Sequence, residues 1–511
     1  MSDNTSNNKR IAKNTLFLYI RMIFVLLVSL YSTRAILNAL GVVDYGIYNV
    51  VAGFVLMFAF LNSSMTNTIQ RFFNFERGNS NSDNLNKVYI TSLQIQITLG
   101  IITVVLLEII GIWYINNKMV IPVDRISAAM CVFQFSVISL FLLILQIPYG
   151  AAVVAHEKMG FYAIVSMVDV ILKLFIAFIL PYIPYDRLIY YGIFMLIISI
   201  ANIFLYFVYA KKNFEEIRYH HVFYRQQFIS MLAFSGWNVF DSFAYTMQGQ
   251  GLNMLMNVFF GPVVNAARGV AYQVQAALSG FTENIAVAFK PQLVESYAKN
   301  EFERTKNLMF CMSRLCYLMV FVLSLPISIE IEYILNMWLG GEVPEYTSIF
   351  TNLILLNMLL GSLNLPISQA IQAVGKIRIY QTVRSVIVIS ALPVSWLILA
   401  DGTPAYMVFV VLIIVNLINQ PVSMFLLRKV FNYSYLDYYR KVLLPCLLFS
   451  LITPLIPFVI HSLMGESWGR LAIVGIISIL FSAGAAYFII LSKDEQYLVK
   501  VFVEKVKNKL R

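Results

Sequence analysis

Runs of about twenty continuously apolar residues recur along this chain from end to end, joined by short polar connections. A helix rises 1.5 Å per residue, so a run of that length crosses a hydrocarbon layer about 30 Å thick. Fourteen such spans are expected, near 15–37, 47–69, 89–113, 126–148, 162–182, 189–210, 229–258, 267–289, 307–328, 347–371, 380–400, 405–427, 442–463 and 469–492. Strands are excluded by the period. A lipid-facing barrel alternates apolar and polar residues, and these runs do not. Only 12% of the residues are charged, against roughly 25% in soluble domains, so the chain has too little polar side chain to cover a water-facing surface. The expected fold class is an all-α polytopic membrane protein. The span 229–258 contains Gly249-Gln250-Gly251 and is expected to bend there.

Charge sets the orientation. Of the 37 basic residues, 27 fall on the side that holds both termini and 5 on the other. Cytoplasmic loops carry the excess of Lys and Arg, so both termini are expected in the cytoplasm. The net charge of +11 is then mostly topology, and its scatter over short loops argues against a nucleic-acid partner. The first apolar run follows Lys9, Arg10 and Lys13. It is too long for a signal peptide and has no small-residue cleavage site, so it reads as a retained span.

Little here supports enzymatic chemistry. Cys131, Cys311, Cys316 and Cys446 lie within spans and lack metal-site spacing. His156, His220, His221 and His461 sit in loops or near helix ends. There is no Walker loop, dinucleotide turn or nucleophile elbow, and no cofactor is expected. A membrane polysaccharide polymerase would be expected to set acids on a sizeable outer loop. The outer loops here are short and offer Asp44, Asp124, Asp186, Glu342 and Glu345. Transport is the better class.

Ionisable residues inside hydrocarbon are costly and usually face a bundle interior or an aqueous cavity. The bases are Arg21, Lys173, Arg268, Arg314 and Arg384; the acids are Glu108, Asp169, Asp241 and Glu283. Arg384 lies close enough to an edge to snorkel. Arg21 and Arg314 either snorkel or line a cavity. Asp169 and Lys173 stand at i,i+4 and can neutralise each other, although Lys173 is near mid-span. The seventh and eighth spans carry the densest polarity. Asn238, Asp241, Tyr245 and Gln248 share one helical face; so do Arg268, Tyr272, Gln275, Ser279 and Thr282, with Glu283 beside them. Helix–helix hydrogen bonding accounts for one or two polar residues per helix. Two full stripes with charges point to a water-filled cavity.

Six spans precede the basic loop 211–227, six follow, and two remain. The expected divisions are an N-lobe over 1–212, a C-lobe over 213–436, and two further spans with a basic tail over 437–511. Gly41-Val-Val-Asp-Tyr-Gly-Ile-Tyr-Asn49 and Gly261-Pro-Val-Val-Asn-Ala-Ala-Arg-Gly-Val-Ala-Tyr-Gln273 are weakly alike and occupy equivalent places in the two halves.

Three stretches carry a family resemblance over nearly the whole chain: Leu37-Asn-Ala-Leu-Gly41 with Asp44-Tyr-Gly-Ile-Tyr48, Phe234-Ser-Gly-Trp-Asn238, and Asn257 through Gly269. The chain resembles the polysaccharide (O-antigen type) flippases of the multidrug/oligosaccharidyl-lipid/polysaccharide superfamily. The resemblance implies two pseudo-symmetric six-helix lobes around a central cavity, two extra C-terminal helices, and a bacterial inner-membrane location. It implies alternating-access transfer of an undecaprenyl-diphosphate-linked oligosaccharide, driven by Na⁺ or H⁺, with other polysaccharide-assembly proteins and membrane lipid as partners. Arginine suits a diphosphate because its fork offers several donors. Arg21, Lys173, Arg268 and Arg314 are the expected phosphate contacts. Trp237, Asn238, Tyr245, Gln248, Tyr272 and Gln275 would meet the sugar, and Asp241 or Glu283 the coupling ion. The alternatives are a cation-coupled drug exporter of the same superfamily, a polymerase, or a membrane scaffold without transport activity.

Overall fold

The structure is a computed structural model. It describes the backbone of residues 2–59, 65–66, 68–70, 72–73, 76, 82–156, 158–340, 343–374, 377–431, 433–493 and 495–496. It describes every side chain among them except those of 2–22, 59, 82, 234, 237, 238, 241, 284, 287, 288, 290–292, 294, 295, 298 and 377. Among the described residues there is no strand. The α-helices in order are α1 (Ser2–Leu56), α2 (Ser82–Asn117), α3 (Ile126–Ala155), α4 (Met159–Ile179), α5 (Arg187–Asn213), α6 (Arg225–Phe260), α7 (Pro262–Ala298), α8 (Phe302–Ile329), α9 (Ile331–Leu339), α10 (Thr347–Val374), α11 (Ile377–Ile389), α12 (Ala391–Ala400), α13 (Met407–Val430), α14 (Tyr435–Tyr438), α15 (Leu444–Ile452), α16 (Leu455–Leu463) and α17 (Trp468–Ile489). The protein is an all-α polytopic membrane protein. Eleven segments among the described residues are long and apolar enough to cross a bilayer. One of them lies in α1, which covers the first expected span and the start of the second, much of whose remainder lies outside the described residues. The polar-striped α6 and α7, 36 and 37 residues long, cover two more.

Local chemistry explains most breaks. Helix α1 turns at Gly41, where φ is +80° and ψ is 166°. Between α6 and α7, Gly261 has φ +77° and ψ −173°. Side chains rarely tolerate that region, so the weak sequence repeat is also a backbone repeat. Pro454 cannot donate to Ser450 and Pro393 cannot donate to Ile389, so the chain breaks between α15 and α16 and between α11 and α12. The chain is not broken at Gly249–Gly251: α6 runs as one helix from Arg225 to Phe260. Its hydrogen-bond ladder has no proline to interrupt it, and Gly251 packs on Leu392 at a point where a Cβ would come within 2.7 Å. The short α9 was not foreseen.

The chain divides into two compact units. The first comprises Met1–Gln273, Trp338–Tyr346 and Val388–Ala405. Within it α3 packs along α5, and α1 along α4. Its most tightly built region is a crossing of the second half of α1 with α6 and the start of α7. A Cβ on Gly46 would run into the Pro262 carbonyl, and one on Gly269 would lie 3.0 Å from the Asn49 amide. The side chains of Asn253, Asn257 and Asn265 are buried here. Asn253 donates to the Asn49 carbonyl at 3.1 Å, and Asn265 donates to the Asn253 carbonyl at 2.7 Å. Asn257 accepts from the Val120 amide at 2.9 Å. Small residues let backbones approach, and amides then bond across the gap, which is how helices associate in lipid.

At one end of the same unit Arg125 joins three connections. Its guanidinium donates to both oxygens of Asp44, at 2.8 and 2.5 Å, and to both of Asp186, at 2.6 and 3.0 Å. Asp186 also caps α5 through the Leu188 and Ile189 amides. Burial alone would lift the Asp186 carboxyl, but the bonds from Arg125 and the helix amides hold it below its ordinary value.

The second unit comprises Val274–Met337, Thr347–Ile387 and Tyr406–Arg511. Its core lies among α8, α10, α13 and α15, around Phe310, Phe321, Ile367, Tyr438 and Phe449. Replacing Gly46 by Ala should destabilise the protein by about 1–3 kcal/mol, because the added methyl has only backbone to meet. Gly475→Ala, where nothing lies within 4 Å, should leave stability unchanged or slightly raised. Thermal unfolding in detergent compares the two; equal midpoints would contradict the close approach.

Candidate functional site

The first unit encloses a cavity of about 530 Å³ among α3, α4, α5 and both halves of α1. Helical spacing builds its polar wall. Ser136 and Ser139 lie one turn apart on α3; Ser166, Asp169 and Lys173 line one face of α4; Ser199 and Asn202 lie one turn apart on α5. The centre is an ion pair. Lys173 Nζ donates to Asp169 Oδ2 at 2.7 Å, and Asn202 Nδ2 donates to Oδ1 at 2.8 Å. Both carboxylate oxygens are therefore used. Lys173 is 36% exposed, and among the described residues no second acceptor lies within reach of its ammonium. Two of its three N–H bonds are available to hydroxyls, water or an anion in the cavity.

The expected site residues fall into several settings. Lys173 lines this cavity. Arg268 is buried at 6% exposure; its Nη2 donates to the Gly249 carbonyl at 2.6 Å, and its guanidinium lies over the Tyr272 ring, 4.1 Å from the centroid. That bond fixes α7 to α6 and aims the remaining edge of the fork. Gln248 donates to the Val388 carbonyl at 3.0 Å, so one of its amide hydrogens is spent on the structure. Tyr245 is exposed, and Gln275 is half-buried. Glu283 is exposed. Arg314, in the second unit, is engaged by Glu495 at 2.6 Å and by the Lys441 carbonyl at 3.1 Å. The side chains of Arg21, Trp237, Asn238 and Asp241 lie outside the described residues.

The sequence offered Lys173 as a substrate contact and Asp169 only as the residue that neutralises it. The pair exists, but it is also the polar centre of a cavity. The missed signal was on neighbouring helices: Ser136/Ser139 and Ser199/Asn202 repeat at the spacing that faces a common interior.

These features define an all-α membrane fold with a polar, charged cavity among its spanning helices. Over 93% of its length the chain superposes on 98% of a solved structure described as the lipid II flippase MurJ in an inward-closed conformation, with TM-score 0.70 and 13% sequence identity. It is also similar to an inward-facing multidrug resistance MATE family transporter of the MOP superfamily (TM-score 0.61, 12% identity, 81% of this chain and 97% of that one). A point mutant of the Vibrio cholerae MATE transporter VcmN gives TM-score 0.59 at 13% identity, over 86% of this chain and all of the other. No family model and no curated protein matches the sequence. The chain shares the fold of these solved structures.

Removing Lys173 with Met strands a carboxylate whose remaining partner is an amide. Lys173→Met should destabilise the protein by about 1–2 kcal/mol, the lower part of the range for a broken buried pair because the cavity admits water. Asp169→Asn combined with Lys173→Met should recover most of that loss. Thermal unfolding of the two variants decides it: equal destabilisation would mean the pair is not coupled.

Proposed function

We propose that this protein flips an undecaprenyl-diphosphate-linked oligosaccharide from the cytoplasmic to the periplasmic leaflet of the bacterial inner membrane by alternating access, drawing on an ion gradient. In this reading the lobes are 1–212 and 213–436, helices of 437–511 are additional, and both termini are cytoplasmic.

The observation that carries the reading is the share of chain matched. The drug transporters are covered almost completely by this chain, yet they leave 14–19% of it unmatched. The flippase, equally covered, leaves 7%. The surplus over the MATE structures is of the size of a pair of spans, which supports a likeness to the flippase over more of the chain. This favours the flippase over the exporter. No nucleotide motif is present in the sequence, so an ion gradient is the energy source that fits. A carboxylate in a partly desolvated cavity is suited to bind and release a cation. Asp241 and Glu283 are the candidates read from the sequence, and Asp169 is the one whose position in a cavity supports the same role.

Arg268 is the proposed diphosphate contact, with Arg21 beside it in role. Its fork is oriented by the Gly249 carbonyl and by Tyr272, and a rigid fork recognises phosphate oxygens in a way a point charge does not. Deleting the gene should make one lipid-linked oligosaccharide accumulate in the cytoplasmic leaflet. Complementation with Arg268→Lys should restore about one tenth of export or less, as expected when one charge-assisted hydrogen bond is lost. No accumulation on deletion, or full complementation by Arg268→Ala, would contradict the reading.

A further inference from the structure

The second unit contains a cavity of about 780 Å³ formed where α8 and α15 begin and α17 ends. These are the ends that the charge count assigns to the cytoplasmic side. One wall is apolar, with Leu308, Phe310, Pro445, Ile489 and Ile490. The other presents three cations, Arg304, Arg314 and Lys441, against a single lining carboxylate, Glu495.

The cations differ in how well they are satisfied. Arg314 is 6% exposed. Its Nη2 is bonded to Glu495 and its Nη1 to the Lys441 carbonyl, but its Nε is buried with no acceptor in reach. Arg304 pairs with Glu301 at 3.0 Å, with both groups open to solvent, and such pairs contribute little. Lys441 is exposed and makes no ion pair among the described residues. Glu495 stands just beyond α17, where its Oε2 accepts from the Ser492 amide at 2.8 Å. Burial would raise its carboxyl, but the Cys311 thiol, the Ser492 amide and Arg314 hold it below the ordinary value, so at neutral pH it is an anion.

The described lining residues therefore carry three cations against one carboxylate, with Arg304 paired outside the cavity by Glu301, beside an apolar wall at the ends that the charge count assigns to the cytoplasm. Basic pockets between membrane helices on the cytoplasmic side bind anionic headgroups, and the volume is that of a small-ligand site. We propose that this cavity binds the phosphate of an anionic phospholipid of the cytoplasmic leaflet, with the first acyl carbons on the apolar wall, and that Glu495 is an internal anion which the phosphate displaces from Arg314. The unfilled Nε of Arg314 then gains an acceptor. This site goes beyond the transport reading and does not require it.

Native mass spectrometry of the full-length purified protein, titrated with phosphatidylglycerol, phosphatidylcholine, inorganic phosphate or undecaprenyl diphosphate, tests the proposal. Phosphatidylglycerol should fill one saturable site in preference to phosphatidylcholine. Lys441→Gln should weaken that site about fivefold, the effect of one basic residue near a lipid phosphate, and Glu495→Gln should strengthen it by a similar factor. The Lys441 side chain makes no ion pair among the described residues, and its carbonyl bond to Arg314 survives the substitution, so Lys441→Gln alone decides if Glu495→Gln fails to fold. Equal binding of the two phospholipids, or an unchanged affinity in Lys441→Gln, overturns the proposal. Competition by inorganic phosphate at the same concentration would make this a free-anion site. Preference for undecaprenyl diphosphate over phosphatidylglycerol would make it the substrate's. Either result overturns the phospholipid assignment.

Discussion

A bilayer interior offers no hydrogen-bond partner to a peptide group, so each amide and carbonyl that crosses it must be satisfied within the protein. The consequence is visible in every helix described here, and also in the exceptions. Where a helix turns, at Gly41 and Gly261, the residue has no Cβ. Where proline removes a donor, at Pro393 and Pro454, the helix stops. Several of the polar side chains that enter the spans are bonded within the protein. Asn253 and Asn265 bond across helices, Gln134 donates to Glu108 at 3.0 Å, and Asp169 takes both a lysine and an asparagine.

The same rule separates structural polarity from functional polarity. The asparagine crossing around Gly46 and Gly269 uses its polar atoms on protein and leaves little for a ligand. The Asp169–Lys173 site does not: its lysine keeps hydrogens aimed into a cavity. Arg268 stands between these cases, with one nitrogen committed to the Gly249 carbonyl and a ring beneath the guanidinium. A fork fixed at one corner has little side-chain entropy left to lose on meeting a further acceptor.

The fold class was legible, because hydropathy over twenty-residue runs reports the solvent rather than the neighbour. The all-α polytopic architecture, the link through Gly41 and the long polar α6 and α7 all follow from it. The continuity of α6 through Gly249 and Gly251 was not legible, since glycine permits a break without requiring one. Site residues were legible only in part. Spacing along one helix identified the stripe through Arg268 and Tyr272. It could not show that Gln248 would be spent on the Val388 carbonyl, 140 residues away, or Arg314 on Glu495, 181 residues away. Partners distant in sequence are where one-dimensional periodicity ends. The cavity around Lys173 was lost for the complementary reason: each of its walls carries only a few polar residues, and their convergence exists only once α3, α4 and α5 are packed.

Transfer of a lipid-linked oligosaccharide between leaflets is the claim on which the functional account rests. It is measured most directly in vesicles containing the purified protein and a fluorescent undecaprenyl-diphosphate-linked oligosaccharide in one leaflet, by following the sugar's exposure to a membrane-impermeant oxidant on the other side. The account predicts that the parent protein exposes the sugar faster when a Na⁺ or H⁺ gradient is imposed, and that Arg268→Ala returns the rate to that of protein-free vesicles. A parent rate no faster than protein-free vesicles under either gradient would contradict it.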